Sequence, residues 1–167
     1  MSAPSRVVVL GVGNLVMSDE GLGVHCAQRL QAAALPPGVS VIDGGTSTHE
    51  LLGELENLDL LVIVDAVATS DAPGSVVRIE ADQIPSAFSN NLSPHQHGIN
   101  DLLAALRLLG RSPARAVLLG VTPARIELGL DLSPEIAAMM PVLVERVIDE
   151  VTGKRGASSA SAVTEGA

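Results

Sequence analysis

The sequence has no tryptophan and no tyrosine, and Phe88 is its one aromatic side chain. Proteins that hold single-stranded nucleic acid usually stack its bases on aromatic rings, so that mode of binding is excluded. The core must instead be packed from Val, Leu, Ile and Ala. Cysteine is almost as scarce. Cys26 stands alone, so no internal disulfide can form, and a reducing, cytoplasmic setting is the expectation. No apolar run approaches the ~20 residues that cross a bilayer. The N-terminal MSAPSR lacks the long apolar stretch and cleavage site of a secretory signal. Basic residues are few, 10 Lys and Arg against 19 Asp and Glu, giving a net charge of −9 and a pI near 4.7. Such a surface repels nucleic acid and anionic lipid, and suits a metal ion, a cationic ligand or a protein.

What the chain does have is apolar bulk. Hydrophobic residues make up 47% of the 167 and charged ones 17%, a globular composition at a length that favours one domain. That domain is expected over residues 1–152. Residues 153–167 are small and polar and read as a disordered tail. A monomer is expected.

Short β-branched runs alternate with helical periodicity. Arg6–Leu10, Val39–Ile42, Leu60–Val64 and Ala114–Val121 read as buried strands. Glu20–Ala33 reads as a helix, and Thr48–Leu58 as a shorter one. Ser75–Glu80 reads as a strand that no helix separates from its predecessor, which predicts an antiparallel edge. Residues 81–92 read as a loop. Ser93-Pro94 and Ser133-Pro134 have the serine-then-proline pattern of helix starts. The first of these helices should run to Leu109 before Gly110, and the second should be kinked by Pro141. This pattern predicts a three-layer α/β/α sandwich around a mostly parallel sheet of about five strands, one of them an antiparallel edge. In open sheets of this kind, ligands bind beyond the carboxyl ends of the strands.

At the first such end the sequence reads GVGNLVMSDEGLG, residues 11–23. A dinucleotide fingerprint needs a third glycine where Val16 stands. Asp19 and Glu20 also occupy the helix start that a pyrophosphate would need, and would repel it. A site already filled with carboxylates invites a cation instead. Each acid also has a plainer reading, as a first-turn or capping residue. Asp65 ends the most apolar strand, in LLVIVDAV, where it could bind a ligand or cap a turn. His95, in SPHQHGIND, opens a helix. Two carboxylates and an imidazole at one sheet edge would suit a borderline divalent metal with positions open to substrate. His97 follows two residues on and would diverge from His95 on a helix. His25 and His49 read as ordinary residues. The H-E-x-x-H and G-x-S-x-G patterns are absent, which excludes the commonest zinc proteases and serine hydrolases. Cys26 falls inside a helix pattern and makes a poor nucleophile.

The stretch VVVLGVGNLVMSDEGLGVHCAQRL resembles the N-terminal signature of the maturation endopeptidases of nickel-iron (NiFe) hydrogenases. VIDGGTSTHELL, LLVIVDAV, SPHQHGINDLLAALRLLG and LLGVTPARIELGLDLSPEI match further blocks of that family in order, so the resemblance runs from Arg6 to about Val151. It implies that Glu20, Asp65 and His95 contact nickel. It also implies that the nickel arrives with the substrate, the large-subunit precursor of the hydrogenase, from which a C-terminal extension is clipped. Other divalent ions could stand in for nickel. Asp43, in the DGG turn, becomes a candidate catalytic residue near the scissile peptide. Two mechanisms fit the residues: the metal polarises the carbonyl or activates water, or it serves only for docking while an acid such as Asp43 does the chemistry. Other functions compatible with the residues are a non-proteolytic metal-binding assembly chaperone and a nucleotide-dependent enzyme.

Overall fold

The computed structural model describes residues 5–47, 49–83 and 94–154, with the backbone alone described at 49, 81 and 94–97. Five strands form one sheet: β1 (Val7–Val12), β2 (Val39–Gly45), β3 (Leu60–Ala66), β4 (Val76–Glu80) and β5 (Arg115–Val121). Their order is β2-β1-β3-β5-β4. All neighbours run parallel except β4, which pairs antiparallel with β5 at the edge. Every residue of β1 and β3 is buried, as strands covered on both faces must be.

The covers are α1 (Leu22–Gln31), α2 (Pro94–Leu108), α3 (Pro134–Thr152) and a 3-10 segment, His49–Leu55. On one face, Val7, Val9, Val62 and Val64 pack with Leu22, Cys26 and Leu30 of α1 and Ile136, Met140, Leu143 and Val147 of α3. On the other, Val8, Leu10, Leu61 and Ile63 pack with Leu55 and with Ile99, Leu102 and Leu106 of α2. The expected three-layer sandwich is thus observed. Successive connections from β1 pass over opposite faces, α1 leading to β2 and the 3-10 segment to β3. The crevice between β1 and β3 is therefore the switch point, where this architecture binds ligands.

Several elements differ from the expected ones, with local causes. The helix expected from Glu20 begins at Leu22, after a separate 3-10 turn, Ser18–Gly21. The segment expected as a helix over Thr48–Leu58 is the 3-10 segment His49–Leu55. β2 and β3 each run further than expected, so Asp43 and Asp65 are strand residues. A further 3-10 turn, Ala81–Gln83, opens the stretch expected to be loop. The rest of that loop, and the tail after Lys154, lie outside the described residues. α2 stops at Leu108, where Gly110 takes a φ of 68° and the Arg111 N–H returns to the Leu106 carbonyl. α3 starts at Ser133-Pro134 as expected and carries Pro141 inside its 19 residues.

The glycines of the opening motif serve close backbone packing. A Cβ on Gly23 would lie 2.2 Å from the Val64 carbonyl oxygen and 2.3 Å from that of Val12. Only glycine lets the start of α1 rest on the ends of β1 and β3. Gly13 has a φ of 148° and would bring a Cβ to 2.1 Å from the Glu20 carbonyl oxygen. The glycine-rich turn thus seats the 3-10 turn directly over the switch point.

Candidate active site

Glu20 lies on the 3-10 turn that leaves β1, and this turn packs against β3. Its backbone is fixed at both ends: the Glu20 N–H donates to the Met17 carbonyl at 3.1 Å, and the Asn14 N–H donates to the Glu20 carbonyl at 3.2 Å. Asp65 is the penultimate residue of β3 and is fully buried, at 0% exposure. Its Oδ1 accepts the Ala66 N–H at 2.8 Å. Side chains alternate along a strand, so Asp65 shares the face of Leu61 and Ile63, which is the α2 side. The chain therefore places both acids at the carboxyl ends of adjacent strands, Glu20 on the turn that leaves β1 and Asp65 within β3.

His95 sits in the first turn of α2, and its side chain is outside the described residues. The backbone still gives the turn a location. The far end of α2 is tied to the amino end of β3, through the Asn57 N–H to the Arg111 carbonyl and the Ala114 N–H to the Leu58 carbonyl. The helix therefore runs back against the strands. Its 15 residues rise about 20 Å, which carries its first turn to the carboxyl rim on the face Asp65 shares. Among the described residues no three His, Cys, Asp or Glu side chains gather closely enough to hold a metal. Glu20 and Asp65 would need a third donor, from His95 or from substrate.

Asp43 is exposed near the end of β2, paired in register with Gly11 of β1. Its Oδ1 accepts the Gly45 N–H at 3.0 Å, an Asx turn that shapes the DGG corner. By alternation it falls with Val39 and Val41 on the α1 side of the sheet. It is two strands from Asp65, about 10 Å in sheet spacing, and on the other face. Cys26 is buried, and loss of solvent pushes its thiol up to about 12 against the weak opposing effect of Arg29. It carries no thiolate at neutral pH and cannot serve as a nucleophile.

Asp19 is the residue whose role the sequence hid. It is fully buried and makes no contact typical of a first-turn acid of α1. Its carboxylate reaches across to the connection between β5 and α3. Oδ2 accepts the N–H groups of Ala124 at 2.9 Å and Arg125 at 2.8 Å and the Ser133 hydroxyl at 2.7 Å, and Oδ1 accepts the Ser133 N–H at 2.7 Å. Burial works against its charge, but these hydrogen bonds outweigh it and hold the carboxyl below the ordinary aspartate range. Ser133 is the N-cap of α3, yet its hydroxyl makes no cap bond within the helix. It is given to Asp19, which itself stands at the helix start where a negative charge is favoured. Ser18 beside it has a φ of 50°, a left-handed conformation that costs a non-glycine residue about 1–2 kcal/mol. It is held there by its N–H to the Gly129 carbonyl at 2.9 Å and its hydroxyl to the Glu127 carbonyl at 2.8 Å.

A mostly parallel five-stranded sheet covered by helices, with acids at the carboxyl ends of β1 and β3, has the architecture of a small α/β enzyme domain. The chain belongs to the hydrogenase maturation protease family, whose profile matches residues 24–150, and it is an endopeptidase of hydrogenase maturation. It is 41% identical over 145 residues to the hydrogenase 2 maturation protease of Escherichia coli K12, covering 86% of this chain and 88% of that protein. It is 36% identical over 151 residues to the hydrogenase expression/formation protein HupD of Rhodobacter capsulatus, covering 89% and 72%. Among solved structures, the E. coli hydrogenase maturating endopeptidase HybD superposes with a TM-score of 0.84 at 38% identity, covering 90% of this chain and 94% of that one. The NiFe hydrogenase maturation protease HybD of Thermococcus kodakarensis superposes with a TM-score of 0.69 at 26% identity, covering 85% and 96%.

Proposed function

We propose that this protease removes a C-terminal extension from a hydrogenase large-subunit precursor that already carries nickel, and that it recognises the precursor through that metal. The observation that supports the reading is the placement of two acids at the carboxyl ends of β1 and β3, Glu20 on the turn packed against β3 and Asp65 buried near the strand end. A carboxylate withdrawn from water is stabilised by a cation brought close to it. Glu20 and Asp65 supply hard oxygen donors and His95 supplies the imidazole, a set suited to a borderline divalent ion. Nickel is part of the substrate here, so the resting protease needs none of its own.

The acidic chain suits a site that selects a cation, and the exposed apolar side chains Val16, Ile126, Leu128 and Leu130 border the same turn, as a polypeptide substrate requires. Of the two mechanisms compatible with the residues, the metal-centred one is favoured. Asp43 lies on the opposite face from Asp65 and holds its own turn, whereas metal-activated water beside Asp65 needs no further side chain than a nearby carboxylate as base. The test uses purified protease with nickel-loaded and nickel-free precursor, followed by intact-mass spectrometry of the large subunit. Loss of a C-terminal peptide from the loaded form alone is expected. Equal cleavage of both forms refutes recognition through the metal, and binding without cleavage favours an assembly chaperone.

A further inference from the structure

We propose that Asp19 is a positioning residue of this site: by clamping the connection between β5 and α3 onto the 3-10 turn, it holds Glu20 in the orientation the metal requires. The proposal rests on the reading of Glu20 as a metal contact and adds the part of the chain that sets its geometry. Glu20 stands on a four-residue turn that is too short to hold its own shape, since a 3-10 turn of this length closes few internal hydrogen bonds. What fixes it comes from more than a hundred residues further along the chain. Asp19 takes the two successive N–H groups of Ala124 and Arg125 on one oxygen, and Ser133 closes on both oxygens.

The backbone runs beside this clamp as a short parallel bridge between Met17 and Gly129. The Gly129 N–H donates to the Val16 carbonyl at 2.9 Å, and the Asp19 N–H donates to the Arg125 carbonyl at 3.2 Å. The left-handed Ser18 is the signature of a turn held in place from outside. The peptide of Glu20 follows directly, so any rotation of Asp19 out of its cradle swings the Glu20 carboxylate. All four donors on Asp19 come from neutral groups. The one cation carried by these residues, the Arg125 guanidinium, is paired with Glu127 at 3.2 Å.

The test is a double-mutant cycle on cleavage of nickel-loaded precursor. Asp19→Asn keeps the size of the side chain but turns an amide NH2 toward N–H donors. It should lower kcat/KM by about 10²-fold, as small misplacements of catalytic groups do. Glu20→Gln should also be slow. The double variant should be no slower than Glu20→Gln alone, because a residue that acts through Glu20 has nothing left to position. A merely structural role for Asp19 would multiply the two losses, and that result overturns the proposal.

Wild-type activity in Asp19→Asn overturns it too, with the Glu20 reading intact. Wild-type activity in Glu20→Gln overturns both. If Asp19→Asn does not fold, Ser133→Ala takes its place. It removes one of the bonds, and its loss of about 5-fold should likewise vanish in the Glu20→Gln background and persist if the proposal is false. Glu150→Gln, distant from the rim, serves as the control for lost stability and should cleave at the wild-type rate at temperatures where it is folded.

Discussion

Two carboxylates are buried at opposite ends of the long helix α3, and they are satisfied in different ways. Near its last turn, Glu150 pairs with the Arg78 guanidinium of β4, which also reaches Glu80 at 2.9 Å. At its first turn, Asp19 is held by backbone N–H groups and one hydroxyl. The first arrangement cancels the charge and the second keeps it. Within a few ångströms of an uncompensated charge the interaction energy is several kcal/mol even in a partly screened setting. An arginine at Asp19's place in the network would therefore oppose a cation at Glu20. At the edge of the sheet the carboxylate is met by an ion pair. At the start of α3, Asp19 is met by backbone N–H groups and a hydroxyl, and the nearby Arg125 guanidinium is paired with Glu127 instead.

Removing a charge at the carboxyl rim of the sheet and one near the last turn of α3 should separate these roles. The largest effect is expected from Asp65→Asn. If Asp65 contacts the substrate's nickel as proposed, its loss should slow cleavage of nickel-loaded precursor by about 10³-fold, equivalent to ~4 kcal/mol, with the circular dichroism spectrum unchanged. Cleavage at the wild-type rate would remove Asp65 from the site. Glu150→Gln should act the other way, on the fold and not on the chemistry. Breaking the ion pair leaves Arg78 with Glu80 only, and a loss of about 2–3 kcal/mol is expected in urea unfolding, toward the low end for buried pairs because Arg78 is partly exposed. An unchanged midpoint would show that this pair is a surface-like contact.

Acid titration sharpens the contrast. The carboxyl of Asp19 sits below its ordinary range in the fold, so the unfolded chain takes up its proton first. Its stabilising contribution is full above the ordinary aspartate range and is lost as pH falls through the lower folded value. Wild-type stability should therefore slope downward over that acid window, and Asp19→Asn should flatten the slope. An identical slope in both proteins would mean that Asp19 titrates as it does in the unfolded chain.

The smallest effect is expected at His25. Burial, helped by Arg29 and opposed by Asp131, lowers its pKa, and its Nε2 is buried without a hydrogen-bond partner. The neutral ring is the folded form, so stability should fall slightly as pH drops below about 6.5, the ordinary histidine value. His25→Gln should remove that slope, and its persistence would assign it to another group.

The alternation of β-branched runs and helical stripes in the sequence carried most of the fold. The antiparallel edge was legible from the missing helix before Ser75–Glu80, observed as β4 against β5. Val16, standing where a dinucleotide fingerprint needs a glycine, spoke against a phosphate site at this turn. The role of Asp19 was not, because its partners are backbone N–H groups 105 and 106 residues away and a serine 114 residues away. Backbone donors leave no mark in composition or spacing. The same connection bears on why the helix expected from Glu20 starts two residues later: Asp19, which read as part of its first turn, is bonded to the start of another helix. The register of Asp43 was also hidden. A turn signal of Asp-Gly-Gly gave no sign that β2 continues through it to Gly45, and one residue of strand register decides which face a side chain takes.

The most direct test is a crystal of the protein grown with zinc as the probe and examined by anomalous diffraction at the zinc edge. The account predicts a peak in the crevice between β1 and β3, with carboxylate oxygens of Glu20 and Asp65 and a nitrogen of His95 at about 2.0–2.2 Å from it. A peak bound elsewhere with this crevice empty, or the three side chains turned away from one another, would contradict it.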